Sequence, residues 1–399
     1  RAWTGLQSPA GTSRALMQRD AATLKAALTD LEQRQLKRTR RVGIAPGLVN
    51  FCSNDYLGLK DHPEVVRAFT AAAASHGVGS GASHLVTGHG IEHEALEAEL
   101  AHFTGREKAL VFSTGYMANM GVIGALADQS GGIVSDKLNH ASLIDGCRLT
   151  GAELRRYRHA DGAHAAELLA ALDTETKLLV TDGVFSMDGD FAPLPELARA
   201  ARGSRAWLIV DDAHGLGVTG ATGRGSCEHF TLDANDVPVL IGTFGKAFGT
   251  FGAFVAGGAD LIDYLIQKSR TYIYTTALPA AVAAATRAAL RVSERESWRR
   301  EKVLALARRF QRGLSDRGIA TQSQAASERS AHTSIIPVIL GEAGRALAVS
   351  KRLEELGFLV MAIRPPTVPA GTARLRVTFS ASQEEAQVDA LLSALAQAL

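Results

Sequence analysis

Lys246 is the first residue whose setting suggests chemistry. It lies in Gly242-Thr243-Phe244-Gly245-Lys246-Ala247-Phe248-Gly249, directly after an apolar, β-prone run. Glycines in such a turn let the backbone approach a flat ligand closely. An amine that attacks a carbonyl must first shed its proton, and a partly desolvated position beside other cations favours that. An ordinary surface lysine in a glycine-containing loop has the same local sequence, so the neighbouring segments decide.

Asp211 is the second. Trp207-Leu208-Ile209-Val210 has the pattern of a buried strand and delivers Asp211 and Asp212 to its end. A carboxylate there needs a cationic partner. The ring nitrogen of pyridoxal 5'-phosphate would be one, and keeping that nitrogen protonated makes the ring an electron sink. His214 stands where it could hydrogen-bond the ring hydroxyl. A metal site or a plain turn is the other reading of Asp211-Asp212-Ala213-His214-Gly215.

Ser113-Thr114-Gly115-Tyr116-Met117-Ala118-Asn119 lies between a strand and an apolar helical run. Amides at a helix N-terminus with small hydroxyl residues seat a phosphate, and N-capping by Ser113 or Thr114 uses the same geometry. Gly77-Val78-Gly79-Ser80-Gly81 resembles a dinucleotide loop but follows a helix instead of a strand. His89-Gly90-Ile91-Glu92-His93 matches the H-x-x-E-H pattern of some zinc peptidases. A helix starting near Ile91 keeps the two histidines off a common face, so no metal site is expected.

Residues 1–50 are an arm with a helix expected from about Arg14 to Leu36 and a basic cluster of Lys37, Arg38, Arg40 and Arg41. Asp61-His62-Pro63-Glu64 carries start signals for a helix, with Asp61 as the capping acid and the end near Gly77. Strands are expected at Ala109 to Phe112, Ile133 to Ser135, Lys177 to Thr181, Trp207 to Val210, Val239 to Thr243 and Ala253 to Ala256, alternating with helices. That grammar implies crossover helices on a mostly parallel sheet, with ligands at the carboxyl ends of the strands. After about Glu294 it changes to a charged helix, strands at Ser334 to Leu340, Leu359 to Ile363 and Arg374 to Ser380, and helices at Gly344 to Glu355 and Gln383 to Leu399. The expected division is an arm at 1–50, a large α/β domain at 51–293 and a small α+β domain at 294–399.

The 43 basic and 41 acidic side chains nearly cancel, which argues against a nucleic-acid partner and makes any phosphate binding local. With 46% hydrophobic residues the chain can bury a large core. There is no apolar run long enough for a bilayer, and the three cysteines, Cys52, Cys147 and Cys227, form no C-x-x-C pair. A soluble protein in a reduced, cytoplasmic setting is the expectation.

Lys246, Asp211, His214 and the phosphate turn occur together with Ser53-Asn54-Asp55-Tyr56-Leu57-Gly58, Gly79-Ser80-Gly81-Ala82-Ser83, Asn139-His140-Ala141-Ser142 and Phe185-Ser186-Met187-Asp188-Gly189-Asp190. In this order, from about Asn50 to the C-terminus, the chain resembles the α-oxoamine synthases. The resemblance implies a fold-type-I, aspartate-aminotransferase-like large domain, pyridoxal 5'-phosphate as cofactor, a homodimer, and decarboxylative condensation of an amino acid with an acyl thioester through an external aldimine and a quinonoid. Ala362-Ile363-Arg364-Pro365-Pro366-Thr367-Val368-Pro369 inclines it toward the biotin-pathway member, which joins L-alanine to a pimeloyl thioester, either the coenzyme A or the carrier-protein form.

The resemblance makes Lys246 the Schiff-base lysine and α-carbon base, stacks His140 on the ring, pairs Asp211 with its nitrogen, and sets Ser186 and His214 on the ring or hydroxyl. Gly115, Tyr116 and Thr243 surround the cofactor and its phosphate. Arg364, Thr367, Asn54 and His140 hold substrate, with Arg38 preferred over Lys37, Arg40 and Arg41 for the acyl group, and Tyr274-Thr275-Thr276 reaches the neighbour's phosphate. The competing readings are a glycine-using synthase such as a glycine C-acetyltransferase, a zinc peptidase on His89, Glu92 and His93, and a binding protein that keeps the fold without activity.

Overall fold

The computed structural model of the chain describes residues 21–319 and 333–399. Residues 14–20 of the expected first helix lie outside that range; the rest of it forms Ala21–Gln33. Val49–Asn50 (β1) ends the arm. The central sheet then takes Lys108–Phe112 (β2), Gly132–Asp136 (β3), Glu153–Tyr157 (β4), Lys177–Asp182 (β5), Trp207–Asp211 (β6), Val239–Thr243 (β7) and Ala253–Gly257 (β8). Its order is β2-β8-β7-β6-β5-β3-β4, and only β8 runs antiparallel to its neighbours. β3, β5, β6 and β7 are buried over nearly their whole length, as strands covered by helices on both faces must be.

The C-terminal segment forms Ile335–Gly341 (β9), Phe358–Leu359 (β10), Met361–Ile363 (β11) and Ala373–Thr378 (β12). β11-β12-β9 is an antiparallel sheet backed by helices Trp298–Asp316, Ala343–Glu355 and Glu385–Ala398. The arm is tied to this unit: β1 pairs in parallel with β10, and Phe51 N donates to Leu359 O at 2.9 Å. One continuous hydrophobic cluster runs from Phe51 and Tyr56 through Phe248 to Phe310 and Leu375, so the segment after the arm packs into both sheets.

Two local expectations are corrected. The helix at Pro63–His76 is capped by His62, whose Nδ1 accepts from Glu64 N, and not by Asp61, whose carboxylate instead pairs with Lys60. Pro63 supplies the preset φ of a first helical residue, and Gly77 at φ 81° ends the helix. β4 was not expected. It is an edge strand, Glu-Leu-Arg-Arg-Tyr, in which only Tyr157 is fully buried, so it lacks the apolar run that marks its neighbours.

A buried charge cluster fixes the loop after β5. His159 Nδ1 lies 3.1 Å from Asp136 at the end of β3, and its Nε2 lies 3.2 Å from Asp190. Both carboxylates are almost wholly buried. Burial pushes the imidazole down, but hydrogen bonds to Asp136 and Asp190 outweigh it and hold the pKa at about 10, against an ordinary 6.5. His159→Leu leaves two buried carboxylates without their shared cation and is expected to cost about 3–5 kcal/mol at neutral pH. The folded pKa is the higher one, so this stabilisation is complete below pH 6.5 and fades as pH rises through about 10. Urea midpoints at pH 7 and pH 10 should show the gap between parent and variant closing; an equal gap at both would contradict the ion cluster.

Candidate active site

The parallel strands end on one side of the sheet, where α/β folds bind ligands. β3 runs into His140, β5 ends at Asp182, β6 at Asp211 and β7 at Thr243, three residues before Lys246, while β2 leads into the helix Gly115–Leu126. The turn carrying Lys246 closes tightly. Gly249 has φ +67°, and a Cβ there would sit 2.4 Å from Lys60 N and 2.7 Å from the Leu59 carbonyl carbon, so only glycine fits.

Lys246 Nζ lies 2.9 Å from His214 Nε2, and His214 Nδ1 lies 2.7 Å from Tyr56 Oη. Burial lowers the lysine to about 8, partly offset by the nearby charges of Asp211, Asp182 and Asp212. His214 is held well below its ordinary range by burial and by the Lys246 charge. A neutral imidazole between a phenol and an amine thus orients the amine and leaves a substantial share of it unprotonated near pH 8.

Asp211 is 6% exposed. Its Oδ2 accepts from Asn119 Nδ2 at 2.6 Å, and its Oδ1 accepts from Ala213 N at 3.0 Å. Asn119 also donates to Ser142 Oγ at 2.8 Å, and Ser142 Oγ is 2.7 Å from His140 Nδ1. One hydrogen-bonded chain therefore fixes Asp211 and His140 relative to each other. Asp182 Oδ2 accepts from His140 N at 2.7 Å and is pushed well above the carboxylate range by burial and by Asp211 alongside it. Asp212 turns away: burial raises it to about 7, and it accepts from the backbone N and hydroxyl of Ser226. Of the adjacent pair, only Asp211 joins the hydrogen-bonded chain to His140.

Pyridoxal phosphate fits this arrangement. Lys246 and His140 both sense Asp211 electrostatically, so amine, imidazole and acid share one site. Asn119 Oδ1 is buried and, among the described residues, has no hydrogen-bond partner. Thr114 caps the Gly115–Leu126 helix by accepting from Met117 N at 3.1 Å, and a Cβ at Gly115 would meet nothing within 4 Å, leaving open space at a helix N-terminus. Tyr116 is exposed, with its hydroxyl on Asp145 and its ring edge-on to His140 at 6.5 Å. Thr243 Oγ1 donates to Gly252 O at 2.9 Å and accepts from Gly245 N at 3.4 Å, holding the Lys246 turn.

Two clefts of about 580 and 620 Å³ meet at Pro365 and Thr367. Asn139, Asp145 and Met187 line the first, and Arg38, Arg41 and Arg364 the second. Arg38 Nη2 donates to Thr367 Oγ1 at 3.2 Å, and Arg364 Nη1 donates to Gln35 O in the arm. Lys37 pairs with Glu32 and Arg41 with Glu354. Asn54 Oδ1 accepts from Arg376 Nη1 at 3.1 Å, while Ser186 O accepts from Arg376 Nε at 2.5 Å.

Sequence reasoning gave no role to Asn119, Ser142, Asp182, Tyr56 or Arg376. Asn119 and Arg376 each lie in a segment singled out above, but their contacts span 92 and 322 residues, beyond the reach of any local pattern. His89, Glu92 and His93 do not form a common ligand set: Arg287 takes Glu92, and both nitrogens of His93 are engaged, one with Gly90 N and one with Leu278 O.

The family described as Aminotransferase class I and II matches residues 46–395. The 8-amino-7-oxononanoate synthase of Methylococcus capsulatus is 57% identical over 384 residues, covering 94% of this chain and 97% of that one. That of Thioalkalivibrio sulfidiphilus is 55% identical, covering 92% and 95%. Among solved structures, serine palmitoyltransferase of S. paucimobilis, with PLP bound, superposes with a TM-score of 0.88 at 30% identity, covering 95% of this chain and 98% of that one. The 8-amino-7-oxononanoate synthase of Francisella tularensis gives 0.76 at 30% identity, covering 88% and 97%. The fold-type-I architecture and these near-full-length matches place the chain in the class I and II aminotransferase family, among its 8-amino-7-oxononanoate synthases.

Proposed function

We propose that the protein condenses L-alanine with a pimeloyl thioester, releasing carbon dioxide and forming 8-amino-7-oxononanoate for biotin biosynthesis. The observation that carries this reading is the convergence of Lys246, His214, Asp211 and His140 at one site in a chain 57% identical to a synthase of that name. Pyridoxal phosphate, when bound, supplies an aldehyde that captures amines and a ring that withdraws electrons from the adjacent carbon.

Lys246 would hold the cofactor and, once displaced by the amino acid, take and return the proton at its α-carbon. Asp211, fixed by Asn119 and Ala213, would keep a proton on the ring nitrogen. His140, held by Ser142, would cover the ring face, with Ser186 and His214 toward its hydroxyl side. Gly115, Tyr116 and Thr243 would surround the cofactor and its phosphate. Arg364 would receive the amino-acid carboxylate, which a guanidinium fork suits, with Thr367 and Asn54 beside it. Arg38 would meet the acyl group, a choice supported by its hydrogen bond to Thr367 where the two clefts meet, while Lys37 and Arg41, which line the same cleft, pair with Glu32 and Glu354.

Alanine with a pimeloyl thioester should exceed glycine with acetyl, succinyl or long-chain acyl thioesters in kcat/KM by about tenfold or more, the scale on which one methyl and a matched pocket discriminate. A panel in which glycine with a short acyl thioester wins would move the chain to a glycine C-acetyltransferase reading.

A homodimer in the cytoplasm completes the proposal. Tyr274 is 72% exposed, and Thr276 O accepts from Ser113 Oγ at 3.3 Å, which supports Tyr274-Thr275-Thr276 reaching the neighbour's phosphate. Cys147 and Cys227 are buried free thiols, suited to a reducing compartment. No described helix is long and apolar enough to cross a membrane. A monomer of full activity in light scattering would remove the dimer.

A further inference from the structure

A neutral imidazole has one proton to place on its two ring nitrogens. Burial first, then the neighbouring Lys246, Arg376 and His140, keeps His214 neutral. Its Nδ1 faces Tyr56 Oη at 2.7 Å, and its Nε2 faces Lys246 Nζ at 2.9 Å. Which nitrogen carries the proton decides whether the imidazole accepts from the lysine or donates to it.

The far side of Tyr56 makes that choice. Arg376 Nη1 lies 3.1 Å from the Asn54 side-chain atom that also lies 3.2 Å from Tyr56 Oη. A guanidinium only donates, so that atom is the Asn54 carbonyl oxygen. The oxygen only accepts, and the phenol has a single proton, which therefore goes to Asn54. Burial pushes the phenol pKa up, so the proton stays in place. Tyr56 Oη is left as an acceptor, taking a long hydrogen bond from Arg376 Nη2 at 3.4 Å, and His214 Nδ1 must donate to it. Were the phenol to donate to Nδ1 instead, two oxygens would stand 3.2 Å apart with no proton between them. Tyr56 is fixed in this position. Its side chain is fully buried, its backbone N donates to Asn54 O at 2.8 Å, and its backbone O accepts from Ala381 N at 2.8 Å, just beyond β12.

We propose that Tyr56 is a positioning residue for Lys246: it holds the His214 proton on Nδ1 and so turns the Nε2 lone pair toward the lysine. Lys246 then donates to Nε2. In the neutral amine that bond uses one N–H and leaves the amine's own lone pair directed away from the imidazole, free to attack a carbonyl or take a proton. In the other tautomer, the Nε2 proton would point at that lone pair and occupy it. The role rests on Lys246 being the reacting amine, whereas the ring nitrogens of His214 report the tautomer whichever reaction is catalysed.

Tyr56→Phe removes the hydroxyl and keeps the ring. The tautomer is read at neutral pH by long-range proton–nitrogen correlation on the full chain freed of cofactor and carrying isotope-labelled histidine. Signals absent from His214→Asn identify His214. The parent should show a protonated Nδ1 and a bare Nε2, and Tyr56→Phe should move the proton to Nε2. In the cofactor-loaded enzyme Tyr56→Phe should lower kcat about ten- to a hundredfold, the scale of a misplaced catalytic group. The same change in His214→Asn should cost less than about twofold, because Tyr56 acts through His214. A merely structural role would cost the same in both backgrounds. A proton on Nε2 in the parent, an unchanged tautomer in Tyr56→Phe, or equal losses in the two backgrounds would each overturn the assignment.

Discussion

Lys246→Ala is expected to lose turnover by on the order of 10⁴-fold or more and to lose the visible absorption of a lysine-linked cofactor, while unfolding as cooperatively as the parent. The size follows from two functions resting on one atom. The Nζ is held by the neutral His214, and burial has already brought it to about 8, so it can form the covalent link and later act as a base. Small primary amines added to the variant should restore part of the rate, since they replace the base but not its placement. Turnover within tenfold of the parent would assign the chemistry elsewhere.

Asp211→Asn is expected to lower kcat by two to four orders of magnitude with little change in fold. The substitution keeps the size of the side chain and one acceptor for Asn119 Nδ2 or Ala213 N, but removes the charge that a ring cation needs. Leaving one member of a buried charge pair without the other costs about 3–5 kcal/mol, and about 1.4 kcal/mol is a factor of ten. Cofactor affinity should fall in parallel. Asp212→Asn makes the contrast, because Asp212 is committed to Ser226, and its effect should appear in stability before rate. Equal kinetic losses in the two variants would contradict the division of labour between them.

The sheet was legible in the sequence because β5, β6, β7 and β8 are short apolar runs followed by glycine or polar turns, the signature of strands covered on both faces. β4 escaped because an edge strand carrying Glu153, Arg155 and Arg156 needs no such run. Lys246 and Asp211 were legible for a similar reason: each follows a buried strand and so arrives at the ligand-binding end of the sheet. The groups that hold them were not. Asn119 is one polar residue on an otherwise apolar helix, and its meaning appears only when β6 brings Asp211 beside it from 92 residues away. Tyr56 and Arg376 meet His214, Asn54 and Ser186 only after the two sheets pack together. The roles of Arg38 and Arg364 rested on family resemblance, since basic residues in an arm and before two prolines carry no distinguishing local pattern.

The proposed reaction depends on a covalent link between the cofactor and the ε-amine of Lys246. Borohydride reduction of the holoenzyme fixes such a link permanently, and peptide mass spectrometry then locates it. The expected result is a single pyridoxyl-phosphate modification on the peptide containing Gly245-Lys246-Ala247, absent from unreduced protein. A modification on another lysine, or none in protein that is catalytically active, would contradict it.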